Sequence, residues 1–167
     1  MKTLSLLFCS LVLPCLAHAQ LLASPDATSR LLGKPTFTRA MPASNMTVAN
    51  YKTDAYKVAA GFKENAAVYF VYKKQTGAAF AEAEIQQILD GHPGNEGKWK
   101  WRKDVITGRG GPAVHKGGVK DVNAAEEWHV FAKKEYGAAY YPEKKALVIW
   151  DAGSGVDPAA LVNQSNL

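Results

Sequence analysis

Cysteine is missing from everything beyond residue 19. The chain has two, Cys9 and Cys15, and both fall in its first 19 residues. A protein released after residue 19 has no disulfide, no thiolate nucleophile and no cysteine-ligated zinc or iron–sulfur centre. Long apolar runs are scarce as well. The greasy stretch Leu4–Leu16 covers 13 residues, short of the about 20 that a bilayer-spanning helix needs. No transmembrane span is expected after it. Neither charge sign dominates, with 20 Lys and Arg against 15 Asp and Glu. Motifs that carry chemistry are absent too: there is no Gly-Lys-Ser/Thr phosphate loop, no His-Glu-x-x-His and no Gly-x-Ser-x-Gly. No cofactor and no metal site is expected.

What the start of the chain does have is an export pattern. Lys2 is followed by the apolar run, and Ala17-His18-Ala19 places small residues at the two positions a signal peptidase reads. Residues 1–19 read as a signal peptide, Gln20 as the new N-terminus, and the location as secreted or periplasmic. Cys15 is a poor lipid-anchor site, because Pro14 stands where a small residue belongs. Removing 19 of the 167 residues leaves 148, enough for one domain with its own core. That remainder has 19 basic and 15 acidic residues. A mild positive excess biases encounters toward anionic partners. Outside the cytoplasm these are anionic glycans, phospholipid head groups or acidic envelope proteins; nucleic acid is not expected.

The pattern along the chain predicts an α+β fold, with an antiparallel sheet of about five to six strands and two short helices. Residues 20–50 read as an N-terminal helix and a connector. Ser24 is a good N-cap, Pro25 fits the first turn, and Gly33 with Pro35 ends the helix. Pro42, Ser44, Asn45 and Asn50 mark the connector. Residues 51–151 read as the α+β domain and 152–167 as a tail. Strands are expected at 58–61 and 66–72 around a Lys63-Glu64-Asn65 turn, then at 99–102, 128–133, 138–141 and 146–150. A helix is expected over 80–90, where Phe80, Glu84 and Ile88 form one row and Ala81, Ile85 and Leu89 another. The expected core is Val58, Val68, Phe70, Ile85, Ile88, Leu89, Trp99, Trp101, Val130, Phe131, Leu147 and Ile149. A loose echo runs through the chain: helix, turn and aromatic strands occur at 24–72 and again at 80–150.

Leu32-Gly33-Lys34-Pro35, then Tyr56, Val58, Gly61-Phe62 and the Val68–Tyr72 strand, resemble the small BamE/SmpA-like modules of bacterial envelopes. The likeness covers about 50 residues and rests mostly on turn chemistry. It implies a small α+β scaffold used for protein–protein contact in an envelope. This chain departs from those modules in lacking a sound lipobox, and no functional residue carries over.

The sharpest local signal is Lys98-Trp99-Lys100-Trp101-Arg102-Lys103. In a strand, Trp99 and Trp101 share one face, and Lys98, Lys100 and Arg102 the other. Three cations within about 14 Å suit phosphate or carboxylate groups. The same alternation also fits any half-buried strand, with tryptophans inside and lysines in water. A glycine-rich, locally basic loop at 103–125 adds Arg109. Lys98, Lys100, Arg102 and Arg109 are the candidate binding residues, and no catalytic residue is assigned. These readings favour an exported, non-enzymatic binding or scaffold module that contacts anionic partners through a basic strand and loop. The alternative is a small secreted hydrolase, with His115 or His129 near Asp104, Asp121 or Glu126 beneath the 103–125 loop.

Overall fold

The computed structural model describes residues 20–92, 101–102, 127–130, 136–164 and 167. Their architecture is α+β, an antiparallel sheet with helices packed against it. Helix α1 (Pro25–Leu32) precedes β1 (Phe37–Met41), β2 (Met46–Lys52), β3 (Tyr56–Lys63) and β4 (Ala66–Lys74). Helix α2 (Glu82–Asp90) precedes β5 (Trp101–Arg102), β6 (Glu127–Val130), β7 (Tyr136–Tyr141) and β8 (Ala146–Asp151). Helix α3 (Pro158–Gln164) follows. The strand order is β1-β2-β3-β4-β8-β7-β6-β5. Among the described residues each half contributes a helix and then four strands, and the last strands of the two halves pair at the centre. The echo in the sequence therefore matches the order of the elements.

The six expected strands are all present, and the sheet has two more. Residues 36–50, expected as a connector, hold β1 and β2 instead. Pro42–Ser44 form one turn of 3-10 helix, which Asn45 ends in the left-handed conformation (φ 49°) with its N–H donating to Pro42 O at 3.1 Å. The proline and asparagine that signal a connector are thus the turn of a hairpin. Its outer strand has no burial alternation, because four of its five residues are exposed. The expected tail also contains structure. Asp157 Oδ1 accepts the Ala159 N–H at 3.0 Å, and α3 buries Leu161 and Val162.

The start signals of α1 act as expected. Ser24 Oγ accepts the Ala27 N–H at 3.2 Å, with Pro25 in the first turn. Alternation along the strands divides the core into two clusters, one on each face. On the first face, Val58, Phe70, Leu147 and Ile149 pack with Leu32 of α1 and with Ile85, Ile88 and Leu89 of α2. On the second, Tyr69, Val71, Val148 and Trp150 pack with Val156, Leu161 and Val162. The expected core residues that fall among those with described side chains are all buried. Trp99 and Phe131 lie outside the described residues.

One cross-strand row on the second face explains two glycines. Gly61 pairs with Tyr69, Tyr69 with Trp150, and Trp150 with Gly137. A Cβ on Gly61 would stand 2.0 Å from the Tyr69 ring, and one on Gly137 would stand 2.3 Å from the Trp150 ring. Each half of the sheet lays its large ring across a glycine of its neighbouring strand. Only a residue without a side chain leaves that space.

Candidate functional site

Charge is distributed unevenly over this scaffold. Strands β1–β4 contain Arg39, Lys52, Lys57, Lys63, Lys73 and Lys74, and no Asp or Glu. Pairing sorts them by face. Lys52 is opposite Lys57, and Lys57 is opposite Lys73. Arg39 is opposite Val48, which is opposite Gly61; Lys63 is opposite Met46. Because side chains alternate, Arg39, Lys52, Lys57, Lys63 and Lys73 all belong to the second face. Lys74 alone takes the first.

The two adjacent lysines of β4 have different surroundings. Lys74 lies against α2, with Nζ 2.7 Å from both carboxylate oxygens of Glu84 and 5.8 Å from the centre of the Phe80 ring. The Ala81 N–H donates to the same carboxylate at 2.7 Å. That N–H, and then the Lys74 ammonium, hold the Glu84 carboxyl below its ordinary range. Lys73 meets other cations. Partial burial, then Lys57, then Lys144, push its ammonium below the usual lysine range. Like charges directly opposite one another destabilise a sheet, so the Lys52–Lys57–Lys73 row works against folding.

At this end of the sheet Lys57, Lys73, Lys74, Lys144, Lys145, Gln75, Gly77 and Leu167 line a cleft of about 140 Å³. Lys144 and Lys145 come from the β7–β8 turn, next to Ala146, which pairs with Lys73. At the other end of the same face is a larger cavity of about 330 Å³. Met41, Ala43, Met46 and Lys63 form one wall of it, and Val156, Asp157, Ala160 and Leu161 the other. The face between the two is mostly small or apolar, with Ala59, Gly61 and half-buried Val48, and with half-buried Asn50 as its polar side chain. Tyr69 stands at its centre, its phenol pushed up to about 12 by burial, against the opposing effect of Arg39.

This arrangement suits non-covalent capture of oxyanions. Ammonium groups are strongly hydrated point charges with three rotatable donors. Several around one small cleft fit phosphate, sulfate or carboxylate oxygens. Among the described residues no group of three or more His, Cys, Asp or Glu is placed to hold a metal. His92, in the turn after α2, is buried, with Nε2 2.9 Å from the Tyr72 hydroxyl.

Of the sequence candidates, Lys98, Lys100 and Arg109 lie outside the described residues, as do the His115, Asp104, Asp121 and Glu126 of the hydrolase alternative. Arg102 is in β5, at the sheet edge opposite β1, in register with Trp128; Trp101 is in register with His129. Sequence reasoning missed the lysine cleft. The available signal is the absence of any acidic residue from four strands with six basic ones, and most of two of those strands falls in the stretch whose Pro and Asn mark a connector. Comparison with protein-family models, with curated proteins and with solved structures finds no match. No helix among the described residues is long and apolar enough to cross a membrane.

Proposed function

We propose that this chain is an exported, non-enzymatic binding module that holds anionic partners on the second face of its sheet. The observation that carries this reading is the Lys52–Lys57–Lys73 row, extended by Lys144 and Lys145 around one cleft. Opposed lysines cost folding free energy, and an oxyanion bound among them reverses that cost. Lys98, Lys100 and Arg102, which alternate with Trp99 and Trp101, belong to the same proposal as a further contact, together with Arg109 of the basic 103–125 loop. The export pattern of residues 1–19 supports a partner outside the cytoplasm. The resemblance to envelope modules supports a scaffold without chemistry of its own.

Retention on heparin–agarose across a salt gradient tests this reading. The triple variant Lys57→Gln, Lys73→Gln, Lys144→Gln should elute at clearly lower salt than the parent while melting no earlier. A variant with Lys98, Lys100, Arg102 and Arg109 all changed to Ala measures the second contact separately. Equal elution of the triple variant and the parent would remove the cleft from the account.

A further inference from the structure

The second face has a distinct layout over β1–β3. Cations stand at its two ends: Lys52 and Lys57 at one, Lys63 at the other. Arg39 stands on the outer strand between them. The floor between holds Val48, Gly61 and Ala59 with half-buried Asn50 among them, and Phe37, at 55% exposed, ends the rim. Residues 154–157 and α3 rise on the same face and form the inner wall of the cavity beside Lys63. The strands thus form the floor of a groove that is walled at its Lys63 end. From Lys57 to Lys63 it extends about 20 Å, at roughly 3.4 Å per residue. A helix of about 13 residues has that length.

We propose that this groove docks an acidic, amphipathic segment of a partner protein, with its apolar stripe on Val48 and Met46 and its carboxylates at Arg39, Lys57 and Lys63. The inference rests on the anion-binding reading and names the class of partner. Charge complementarity selects the occupant. No Asp or Glu occurs in β1–β4, and Asp157 of the wall stands against the five cations of this face, so a second copy of the face would meet it chiefly with like charge. The raised wall favours a rod over a flat bilayer, because a planar surface touching α3 is held off the floor. A glycan satisfies the cations but leaves the methionine and valine side chains in water. An amphipathic helix meets both.

Fluorescence anisotropy tests the proposal with a labelled 14-residue peptide that has Glu at both ends and Leu at helical spacing between. Its counterpart with Lys for each Glu is the control. Heparin and phosphatidylglycerol vesicles form two further arms. The Glu peptide should bind, weaken as salt rises, and lose tenfold or more in affinity for the double variant Arg39→Glu, Lys63→Glu. The milder Arg39→Gln, Lys63→Gln pair should lose part of that, with circular dichroism melts confirming that both variants fold. The Lys peptide should not bind. A Glu peptide that binds no better than the Lys peptide, or equally well to all variants, overturns the proposal. If heparin or vesicles still bind in that case, the anion reading stands and only the peptide assignment falls. If none of the probes binds, both fall.

Discussion

In β1–β4 every charged residue is basic, whereas the one charged residue of β7 and β8 is Asp151. The packing of the two regions is nonetheless closely similar. Each has a hairpin whose inner strand lays a large ring over a glycine of the outer one, Tyr69 over Gly61 and Trp150 over Gly137. Each inner strand then pairs with the other at the centre of the sheet. The covering of the second face differs. α3 packs on β8 there, while Met46 and Val48 of β2 are only partly buried. What is shared between the regions serves folding. What differs is a one-sided charge on a partly uncovered face, which opposes folding where Lys57 faces Lys73. The first half is therefore where the proposal places binding.

The largest expected effects attack the shared packing. Trp150→Ala should destabilise by about 3–5 kcal/mol, as expected for a buried large ring. Gly137→Val forces the ring off its site and should cost about 1–3 kcal/mol. Gly61→Val should behave alike through Tyr69. Urea unfolding midpoints measure all three. A silent Gly61→Val beside a damaging Gly137→Val would show that the two halves are not built alike.

Smaller effects of opposite sign separate the two lysines of β4. Lys73→Gln relieves like-charge repulsion and should stabilise by about 0.2–1 kcal/mol. Lys74→Gln removes a partly exposed ion pair and should destabilise by about 0.2–1 kcal/mol. Changes of the same sign would mean that the neighbours of Lys73 and Lys74 do not differ as described.

The smallest effect is a pH dependence. The folded state lowers the pKa of Lys73 from its ordinary 10.5, so in the window just below that value the unfolded chain binds more protons. Stability must then rise with pH through that window. The rise should be weaker in Lys73→Gln, as read from the difference between the two stability profiles. Glu84 has linkage of the same sign in a more acidic window. Its carboxyl is lowered, so its contribution is present at neutral pH and fades as acid is added past its folded pKa.

Much of the fold was legible because it is written in short-range chemistry. Ser24 and Pro25 start α1 as their types dictate, and the Val68–Tyr72 run could only be a covered strand. The Phe37–Met41 strand was not legible. An edge strand with four of five residues exposed has no alternation to read, and its turn uses the same Pro and Asn that mark irregular chain. Trp150 and the tyrosines at 51, 72 and 141 were absent from the expected core although they are among the largest fully buried side chains. For Tyr72, Tyr141 and Trp150, burial on both faces of their strands erases the alternation that would have flagged them. The lysine cleft was hidden for a different reason. Residues 57, 73, 144 and 145 are brought together by strand pairing across the sheet, and no local window contains them all.

A titration of the ¹⁵N-labelled protein with inorganic pyrophosphate, against sodium chloride at matched ionic strength, tests the charge assignment most directly. The account predicts saturable amide shifts centred on Lys57, Lys73, Lys144 and Lys145, with α1 and the middle of β7 unmoved. Shifts no larger than those from sodium chloride, or spread evenly over both halves of the sheet, would contradict it.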